Sequence, residues 1–445
     1  MKNTVLKIVT VALLALALFI PVNMIQGLVA ERQARSNEAL AGIAEGWGKA
    51  QVVGGPYLAL PYERRWIEVK QELVDGKLRE SRTERKEAQV ARLPIESIDW
   101  TVDAALTEKA RGIYKARLYG ATLKASGAFT LPARGSLEDG ASQYRWYVPR
   151  LVLGIADPNG IRVAAQATID GQPAAFAPGS GDFYAGGSPM GGLHLPMPNL
   201  GPGEQRKRLS FTFSLELAGS EAFALAPYGA DASLTMHADW PHPSFQGRHL
   251  PARHEIGADG FSALWKISRL STPAASGCAF PCNTMQDQIA VSFVEPAGLY
   301  QKLERASKYG FLFIGLTFAA FALLELLRRL AIHPVQYALV GLALAIFFLL
   351  LTALSEHIDF SAAYGIATAA CVSLVTAYLV RVLKSAPAGL AFGGALTGLY
   401  GFLYALLKAE DYSLLGGALL LFALLAAVML ATRRVDWHAL SVRTT

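Results

Sequence analysis

Residues 335–354 read VQYALVGLALAIFFLLLTAL, a stretch of twenty positions without one charged side chain. A helix needs about 20 mostly apolar residues to cross the ~30 Å hydrocarbon core of a bilayer. Four more runs of similar length and composition lie in the last third of the chain, at 309–327, 360–380, 388–407 and 413–431. The five runs together predict a C-terminal bundle of five transmembrane helices.

A sixth apolar run lies at the N-terminus, at 5–25, and is accompanied by Lys2 and Lys7. A cleaved signal peptide is the alternative interpretation of such a segment. The run is long for the apolar region of a signal peptide, and Leu28-Val-Ala30 is a poor match to a cleavage site between small residues. We therefore expect an uncleaved transmembrane anchor.

The positive charges around these runs indicate the direction of insertion, because Lys and Arg in short loops mark the cytoplasmic side. They occupy alternate loops of the bundle and the segment after the last run, at Arg328, Arg329, Arg381, Lys384, Arg433 and Arg434. Both termini are then expected in the cytoplasm. The predicted domains are an anchor at 1–27, a large domain outside the cytoplasm at 28–307, a bundle at 308–432 and a cytoplasmic tail at 433–445.

The overall composition agrees with a membrane protein. Hydrophobic residues make up 52% of the 445 positions and charged residues only 17%. The formal net charge is +6 at pH 7, but many of the positive residues flank apolar runs rather than forming a basic patch. Nucleic acid is therefore not expected as a partner.

Between the anchor and the bundle the pattern changes to alternation with a period of two. Residues 209–217 read LSFTFSLEL, and similar alternation is found at 122–129, 233–240 and 289–293. Such runs, separated by turns rich in Gly and Pro, predict antiparallel strands in a sandwich or barrel-like fold. The predicted fold class is therefore an α + β membrane protein whose large outer domain is rich in β-strands.

Three cysteines are present. Cys371 lies inside an apolar run and is expected to be a small buried side chain. Cys278 and Cys282 lie in a loop-like stretch, which favours a local disulfide in an oxidising compartment or half of a metal site elsewhere. Since no second cysteine pair exists to complete a zinc site, a disulfide is the preferred interpretation.

No pattern in the chain predicts a catalytic centre. The histidines at 237, 242, 249 and 254 have no spacing typical of metal ligands, and His237 falls on the polar face of the strand predicted at 233–240. Structural or solvent-facing roles are therefore expected. The run Leu354-Ser-Glu-His357 places three catalytic residue types in succession, yet consecutive residues point in different directions and cannot converge as a triad does. We expect no catalytic residue, no metal and no cofactor.

Three long segments resemble the CreD family of bacterial inner-membrane proteins, also called cell envelope integrity proteins. The first is GGPYLALP at 54–61. The second is DWPHPSFQGRHLP at 239–251, followed by GFSALW at 260–265. The third runs from RASKYGFLFIGLTF at 305–318 through IHPVQY at 332–337 to ALSEH at 353–357. The resemblance covers most of the chain and implies the same topology, with the β-rich domain in the periplasm.

The resemblance also implies a role in envelope integrity and in tolerance of colicins and cell-wall antibiotics, but it implies no catalytic residue. Our leading hypothesis is a non-enzymatic inner-membrane protein whose periplasmic domain binds an envelope protein, a lipid or a peptidoglycan component. Candidate functional residues in the matching segments are Trp240, His242, Phe245, Glu356 and His357. One alternative is a transport or lipid-handling protein that uses the bundle, which polar residues lining a cavity there would favour. Another is a periplasmic hydrolase assembled from distant strands.

Overall fold

A computed structural model describes residues 2–74, 77–179, 184–185, 188–189, 191–228, 231–271, 288–293, 298–328, 332–408 and 413–432. The chain divides into two compact units. The helical unit comprises Met1–Glu38 and Pro296–Thr445, and the β unit comprises Ala39–Glu295.

Helices account for almost all of the helical unit. They are α1 (Lys2–Ala17), α2 (Phe19–Trp47), α3 (Leu299–Lys308), α4 (Gly310–Arg328), α5 (Pro334–Ser355), α6 (Phe360–Val382), α7 (Ala386–Lys408) and α8 (Ser413–Thr432). Helix α2 continues past the predicted anchor, which ends at residue 27, and reaches Trp47.

The apolar composition of these helices agrees with several membrane crossings. Within the described ranges, four helical stretches are long and apolar enough to span a bilayer, namely Val9–Trp47, Pro334–Ser355, Phe360–Val382 and Ala386–Lys408. The other two predicted spans coincide with α4 and α8, so all six apolar runs are helical. Membrane crossing by α4 and α8 stays a prediction.

Helix α5 shows how the sequence forms and positions such a helix. His333 caps its start, because the ring nitrogen Nδ1 accepts a hydrogen bond from the backbone N–H of Val335 at 3.3 Å. Pro334 occupies the first turn, where its missing N–H costs nothing. The buried residues recur every three or four positions and include Tyr337, Leu344 and Leu351, as expected for a helix with one face in a core.

Helices α6 and α7 are held close together by two glycines. A Cβ atom added at Gly389 would lie 2.5 Å from Val380, and one added at Gly393 would lie 2.2 Å from Oγ1 of Thr376. Small residues at this spacing let helix backbones approach each other in a membrane. A Cβ atom at Gly394, by contrast, would meet no atom within 4 Å.

We therefore expect Gly393→Ala to destabilise the helical unit by about 1–3 kcal/mol, because the added methyl group overpacks the contact. The matched substitution Gly394→Ala on the same turn of α7 meets open space and should be neutral or slightly stabilising. Thermal melts of both purified variants in detergent micelles test this difference. Equal melting temperatures would contradict the packing of α6 against α7.

The β unit contains nineteen described strands. They are β1 (Gln51–Val74), β2 (Lys77–Pro94), β3 (Ser97–Arg111), β4 (Tyr114–Leu131), β5 (Gln143–Trp146), β6 (Arg150–Ile155), β7 (Ile161–Ile169), β8 (Gln172–Ala175), β9 (Ala177–Pro178), β10 (Tyr184–Ala185), β11 (Ser188–Pro189), β12 (Gly191–Pro196), β13 (Lys207–Ser220), β14 (Ala222–Ala226), β15 (Asp231–Ala238), β16 (Ser244–Gly247), β17 (Arg253–Gly257), β18 (Gly260–Ile267) and β19 (Ile289–Ser292).

The strands form two large sheets and one small pair. The nine-stranded sheet has the order β16-β19-β14-β1-β6-β12-β9, with β2 and β5 also paired to β1. The eight-stranded sheet has the order β17-β18-β15-β3-β4-β13-β7-β8, and β10 pairs with β11. Most pairs are antiparallel, but β1 with β14 and β15 with β3 are parallel. The sheets are therefore mixed.

One apolar core joins the two large sheets. It contains Leu58 and Leu153 from the nine-stranded sheet and Trp100, Phe213 and Trp265 from the eight-stranded sheet, all at most 4% exposed. The alternating burial along β13 and β15 places their predicted apolar faces in this core. The β unit is thus a sandwich, and the predicted α + β class of membrane protein is confirmed.

Candidate functional site

The predicted disulfide residues Cys278 and Cys282 lie outside the described residues, so their pairing stays a prediction. Cys371 is buried and unpaired by any disulfide, as expected for the apolar run that contains it. Its Sγ atom lies 3.5 Å from the hydroxyl oxygen of Tyr400 in the helical unit.

The segment 239–251, which carries three of the candidate residues, runs from one sheet of the β unit to the other. The chain leaves the eight-stranded sheet at the end of β15 and adds β16 to β19 at the edge of the nine-stranded sheet. It then returns to the eight-stranded sheet as β17. This segment therefore connects the two layers of the sandwich.

Trp240 anchors the first part of this connection. Its ring is 8% exposed, and its Nε1–H donates a hydrogen bond to the carbonyl oxygen of His242 at 2.8 Å. The guanidinium of Arg117 lies over the ring, 4.0 Å from its centroid, in cation–π geometry. The ring of His242 lies edge-on, with its centroid 5.7 Å from that of Trp240.

Phe245 on β16 anchors the second part. Its ring centroid lies 5.6 Å from those of both Phe261 and Trp265, edge-on in each case, and 5.4 Å from that of His254. These contacts give Trp240 and Phe245 clear packing roles. A direct role of Trp240, His242 and Phe245 in function stays a prediction.

Glu356 and His357 lie at the C-terminal end of α5 in the helical unit. The Glu356 side chain is only 9% exposed, and its Oε1 atom lies 3.6 Å from Nε of Arg32. The hydroxyl of Tyr300 donates to the same oxygen at 3.4 Å. Glu356 thus links α5 to α2 and α3, whereas the side chain of His357 is exposed.

Asp359 follows in the same loop and caps α6. Its carboxylate accepts a hydrogen bond from the backbone N–H of Ser361 at 2.8 Å, and this bond holds the pKa of Asp359 below its usual value. The loop therefore carries two carboxylates with fixed structural partners.

The solvent-facing side of the eight-stranded sheet brings together polar residues from distant parts of the chain. In the strand register, His237 on β15 lies beside Asp103 on β3 and opposite Ser262 on β18. Ser262 lies opposite Glu255 on β17, and Asp103 lies opposite Thr122 on β4. Directly opposed residues on neighbouring strands have Cβ atoms roughly 4.5–5.5 Å apart. We call these five residues the polar row.

The polar row lies in a groove of about 820 Å³ on this face, which we call the sheet groove. Its lining includes four carboxylates, those of Asp103, Asp239, Glu255 and Asp259, and no Lys or Arg. One oxygen of Asp239 already has a partner within the protein, because its Oδ1 atom accepts a hydrogen bond from the backbone N–H of Leu106 at 2.7 Å. The sheet groove therefore offers negative charge and hydroxyl groups to a ligand.

The sheet groove does not have the geometry of a metal site. Among the residues that the structure describes, no three His, Cys, Asp or Glu side chains converge as a metal ion requires. No hydrogen bond joins His237 to Asp103 or to Ser262 in the described part of the chain. The sheet groove is better suited to binding an organic ligand than to coordinating a metal ion.

Sequence reasoning placed His237 on the polar face of a strand but missed Asp103 and Ser262. The available signal was the alternation along β3 and β18, which assigns both residues to the outward face. The alternation gives no strand order, and β15 pairs in parallel with β3 across more than a hundred residues of sequence. The polar row is therefore a product of topology.

Comparison with known proteins agrees with this architecture. The family model described as "Inner membrane protein CreD" matches residues 3–438. The inner membrane protein CreD of Escherichia coli is 32% identical over 431 residues, which cover 96% of this chain and 92% of the relative. Neither description names an enzymatic activity.

Solved structures give only distant similarities. An M1 zinc metallopeptidase of Deinococcus radiodurans is 8% identical, with a TM-score of 0.20 over 44% of this chain and 42% of the enzyme. A protein described as nutrient-binding from Legionella pneumophila is 9% identical, with a TM-score of 0.21 over 50% of this chain and 72% of that protein. Scores this low support no conclusion about fold or activity. The family match and the similarity to the Escherichia coli protein show that the chain belongs to the family of the inner membrane protein CreD.

Proposed function

We propose that this inner-membrane protein supports cell envelope integrity without enzymatic activity, by binding an envelope component through its β unit in the periplasm. The orientation in this proposal rests on the alternation of Lys and Arg between the short loops of the bundle. It puts both termini in the cytoplasm. The β unit then faces the envelope components that a protein with this role must contact.

The observation that carries the proposal is the sheet groove. A depression of about 820 Å³ is large enough for a small ligand or a segment of a polymer. Its carboxylates, without a cation among the lining residues, create a negative potential that attracts amino groups and hydrogen-bond donors. Envelope proteins, amino lipids and the peptides of peptidoglycan all carry such groups, and the proposal covers a component of this kind.

A hydrolase is the second candidate, because the polar row includes Ser262, His237 and Asp103 on three adjacent strands. Two features favour binding over catalysis. The three side chains make no hydrogen bond to one another in the described part of the chain. In addition, β18, β15 and β3 each pair with strands on both sides, so their backbone N–H groups are used in the sheet rather than free to stabilise an oxyanion.

Two variants distinguish a binding groove from a hydrolase. One is the double substitution Asp103→Asn and Glu255→Gln, and the other is Ser262→Ala. We expect the double variant to lose complementation, because it removes charge from the sheet groove without changing side-chain size. Ser262→Ala should complement normally, since a binding groove does not need a nucleophile. Survival of a deletion strain under a cell-wall antibiotic is the measurement.

The matched control is Asp170→Asn combined with Glu84→Gln, which removes two exposed carboxylates outside the groove. Immunoblots of membrane fractions establish equal insertion of all variants. Loss of complementation by Ser262→Ala would favour the hydrolase. Full complementation by the groove variant would refute binding through the sheet groove.

A further inference from the structure

A long groove lies between α6 and α7 in the helical unit. Its volume is about 1010 Å³, and we call it the helix groove. It reaches from Ser361 in the first turn of α6 to Arg381 in the last turn. Twenty residues of helix extend about 30 Å, which matches the hydrocarbon thickness of a bilayer. The helix groove is therefore about as long as the hydrocarbon core of the bilayer is thick.

Missing side chains create part of this depression. Gly365 on α6 and Gly401 on α7 both line it, and a Cβ atom added at either position would meet no atom within 4 Å. Ala369 and Ala377 continue the wall of α6 with small side chains. The two helices touch at Gly389 and Gly393, as described above, so the space between them opens beyond those contacts.

Three hydroxyl groups in the helix groove are used within the protein, whereas Oγ1 of Thr376 is buried with no hydrogen-bond partner among the described residues. Ser373 donates to the carbonyl oxygen of Ala370 at 3.1 Å, and Thr397 donates to that of Gly393 at 2.8 Å. Tyr364 donates to the carbonyl oxygen of Tyr400 at 2.7 Å. With these groups satisfied, the wall presents mainly methyl groups, methylenes and ring surfaces. It suits a hydrocarbon chain better than it suits water or an ion.

One end of the helix groove is positively charged. Arg381 is the charged residue of its lining, and its exposed side chain has no ion pair or hydrogen bond to any described residue. Lys384, also exposed, follows in the turn after α6. A basic side chain at the membrane surface attracts anionic lipid headgroups. Charge and shape therefore match an apolar tail with a phosphate at one end.

We propose that the helix groove binds a phospholipid, with an acyl chain between α6 and α7 and an anionic headgroup at Arg381. A second copy of the chain is a poorer occupant of the same face. A two-fold dimer with parallel membrane orientation would bring the two Arg381 side chains towards each other, and like charges repel. This inference concerns the helical unit alone and does not depend on the proposed role of the β unit.

Native mass spectrometry of the full-length protein, titrated in detergent with phosphatidylglycerol or with phosphatidylcholine, tests the proposal. We expect one phosphatidylglycerol to be retained more tightly than phosphatidylcholine. Arg381→Gln should weaken phosphatidylglycerol binding about fivefold, in line with the contribution of one basic residue near a membrane surface. Ala377→Phe should abolish tight binding, because the ring fills the groove beside Arg381.

Two control variants are available on the same helices. Leu374 on α6 is 63% exposed and does not line the helix groove, so Leu374→Phe adds a similar ring outside it. Lys408→Gln removes a cation at the opposite end of α7. Both should bind like the unmodified protein, and lipid-free melting temperatures establish that all variants fold.

Three results would overturn the proposal. One is equal retention of the two lipids by the unmodified protein. Another is a loss of binding in Lys408→Gln but not in Arg381→Gln. The third is a dimer without bound lipid that Ala377→Phe converts to a monomer, which would assign the face to a second copy.

Discussion

Replacing Gln51 by leucine is expected to destabilise the β unit by about 3 kcal/mol, because it removes the partner of three backbone groups in the interior. Gln51 is 1% exposed at the start of β1. Its Nε2 donates to the carbonyl oxygens of Asp157 at 3.0 Å and Ala218 at 2.9 Å. Its Oε1 accepts from the backbone N–H of Asp157 at 3.2 Å.

The bond to Ala218 connects the two layers of the sandwich, since β1 belongs to the nine-stranded sheet and Ala218 lies on β13 of the other sheet. Two glycines leave the necessary room. A Cβ atom at Gly160 would lie 2.4 Å from Nε2 of Gln51, and one at Gly219 would lie 2.9 Å from its Cγ. Leucine fills a similar volume but satisfies none of the three polar groups.

The measurement is a urea titration of the purified full-length protein in detergent micelles, followed by near-ultraviolet circular dichroism. Gln71→Leu is the matched control, because Gln71 lies on the same strand and is exposed. Surface substitutions of this kind usually change stability by less than about 0.5 kcal/mol. Equal midpoints for the two variants would show that the Gln51 hydrogen bonds contribute little.

Truncating Trp100 to alanine is expected to cost about 3–5 kcal/mol, the usual range for deleting a buried tryptophan. Trp100 is 1% exposed on β3, and its ring packs edge-on against Phe213 with centroids 5.3 Å apart. Its Nε1 atom is buried and has no hydrogen-bond partner among the residues that the structure describes. Trp100→Phe therefore removes no hydrogen bond and should cost less than about 1.5 kcal/mol.

Trp265→Phe provides the comparison. Trp265 is equally buried, but its Nε1–H donates to the carbonyl oxygen of His249 at 3.1 Å. Removing that donor should add about 1 kcal/mol to the cost of the lost volume. The same urea titration measures both variants. A Trp100→Phe variant that is less stable than Trp265→Phe would contradict this account of the core.

Much of the fold was accessible from local patterns. The six apolar runs coincide with α1, the start of α2 and the helices α4 to α8, because a membrane span needs length and apolarity that short-range composition already shows. The alternation at 209–217 and at 233–240 identified β13 and β15, since a half-buried strand repeats every two residues. These features depend on near neighbours in sequence.

The order of the strands was not accessible in the same way. The parallel pairs of β1 with β14 and of β15 with β3 join residues far apart in the chain, and no local pattern encodes such a partner. The crossing of 239–251 between the sheets was missed for the same reason. Trp240 and Phe245, chosen because they lie in a segment that resembles the family, are packed against the sandwich, and their direct role in function stays a prediction.

The candidate site also combines a feature visible in the local sequence with features that depend on the strand order. His237 was recognised as a polar residue on a strand, but Asp103 and Ser262 became its neighbours only through the strand order. The helix groove escaped the sequence for a related reason. The α6 residues of its wall recur at helical spacing from Ser361 to Arg381, but the sequence does not show that α7 supplies the second wall.

Site-specific photo-crosslinking in living cells tests the central claim most directly. A photoreactive amino acid at Thr122 probes the sheet groove, and one at Ser210 probes an exposed position on the same sheet outside it. We predict that Thr122 captures a discrete component of the periplasm or outer envelope, that Ser210 does not, and that Asp103→Asn with Glu255→Gln abolishes the capture. Identical products at both positions, or a product of cytoplasmic origin at Thr122, would contradict binding through a periplasmic sheet groove.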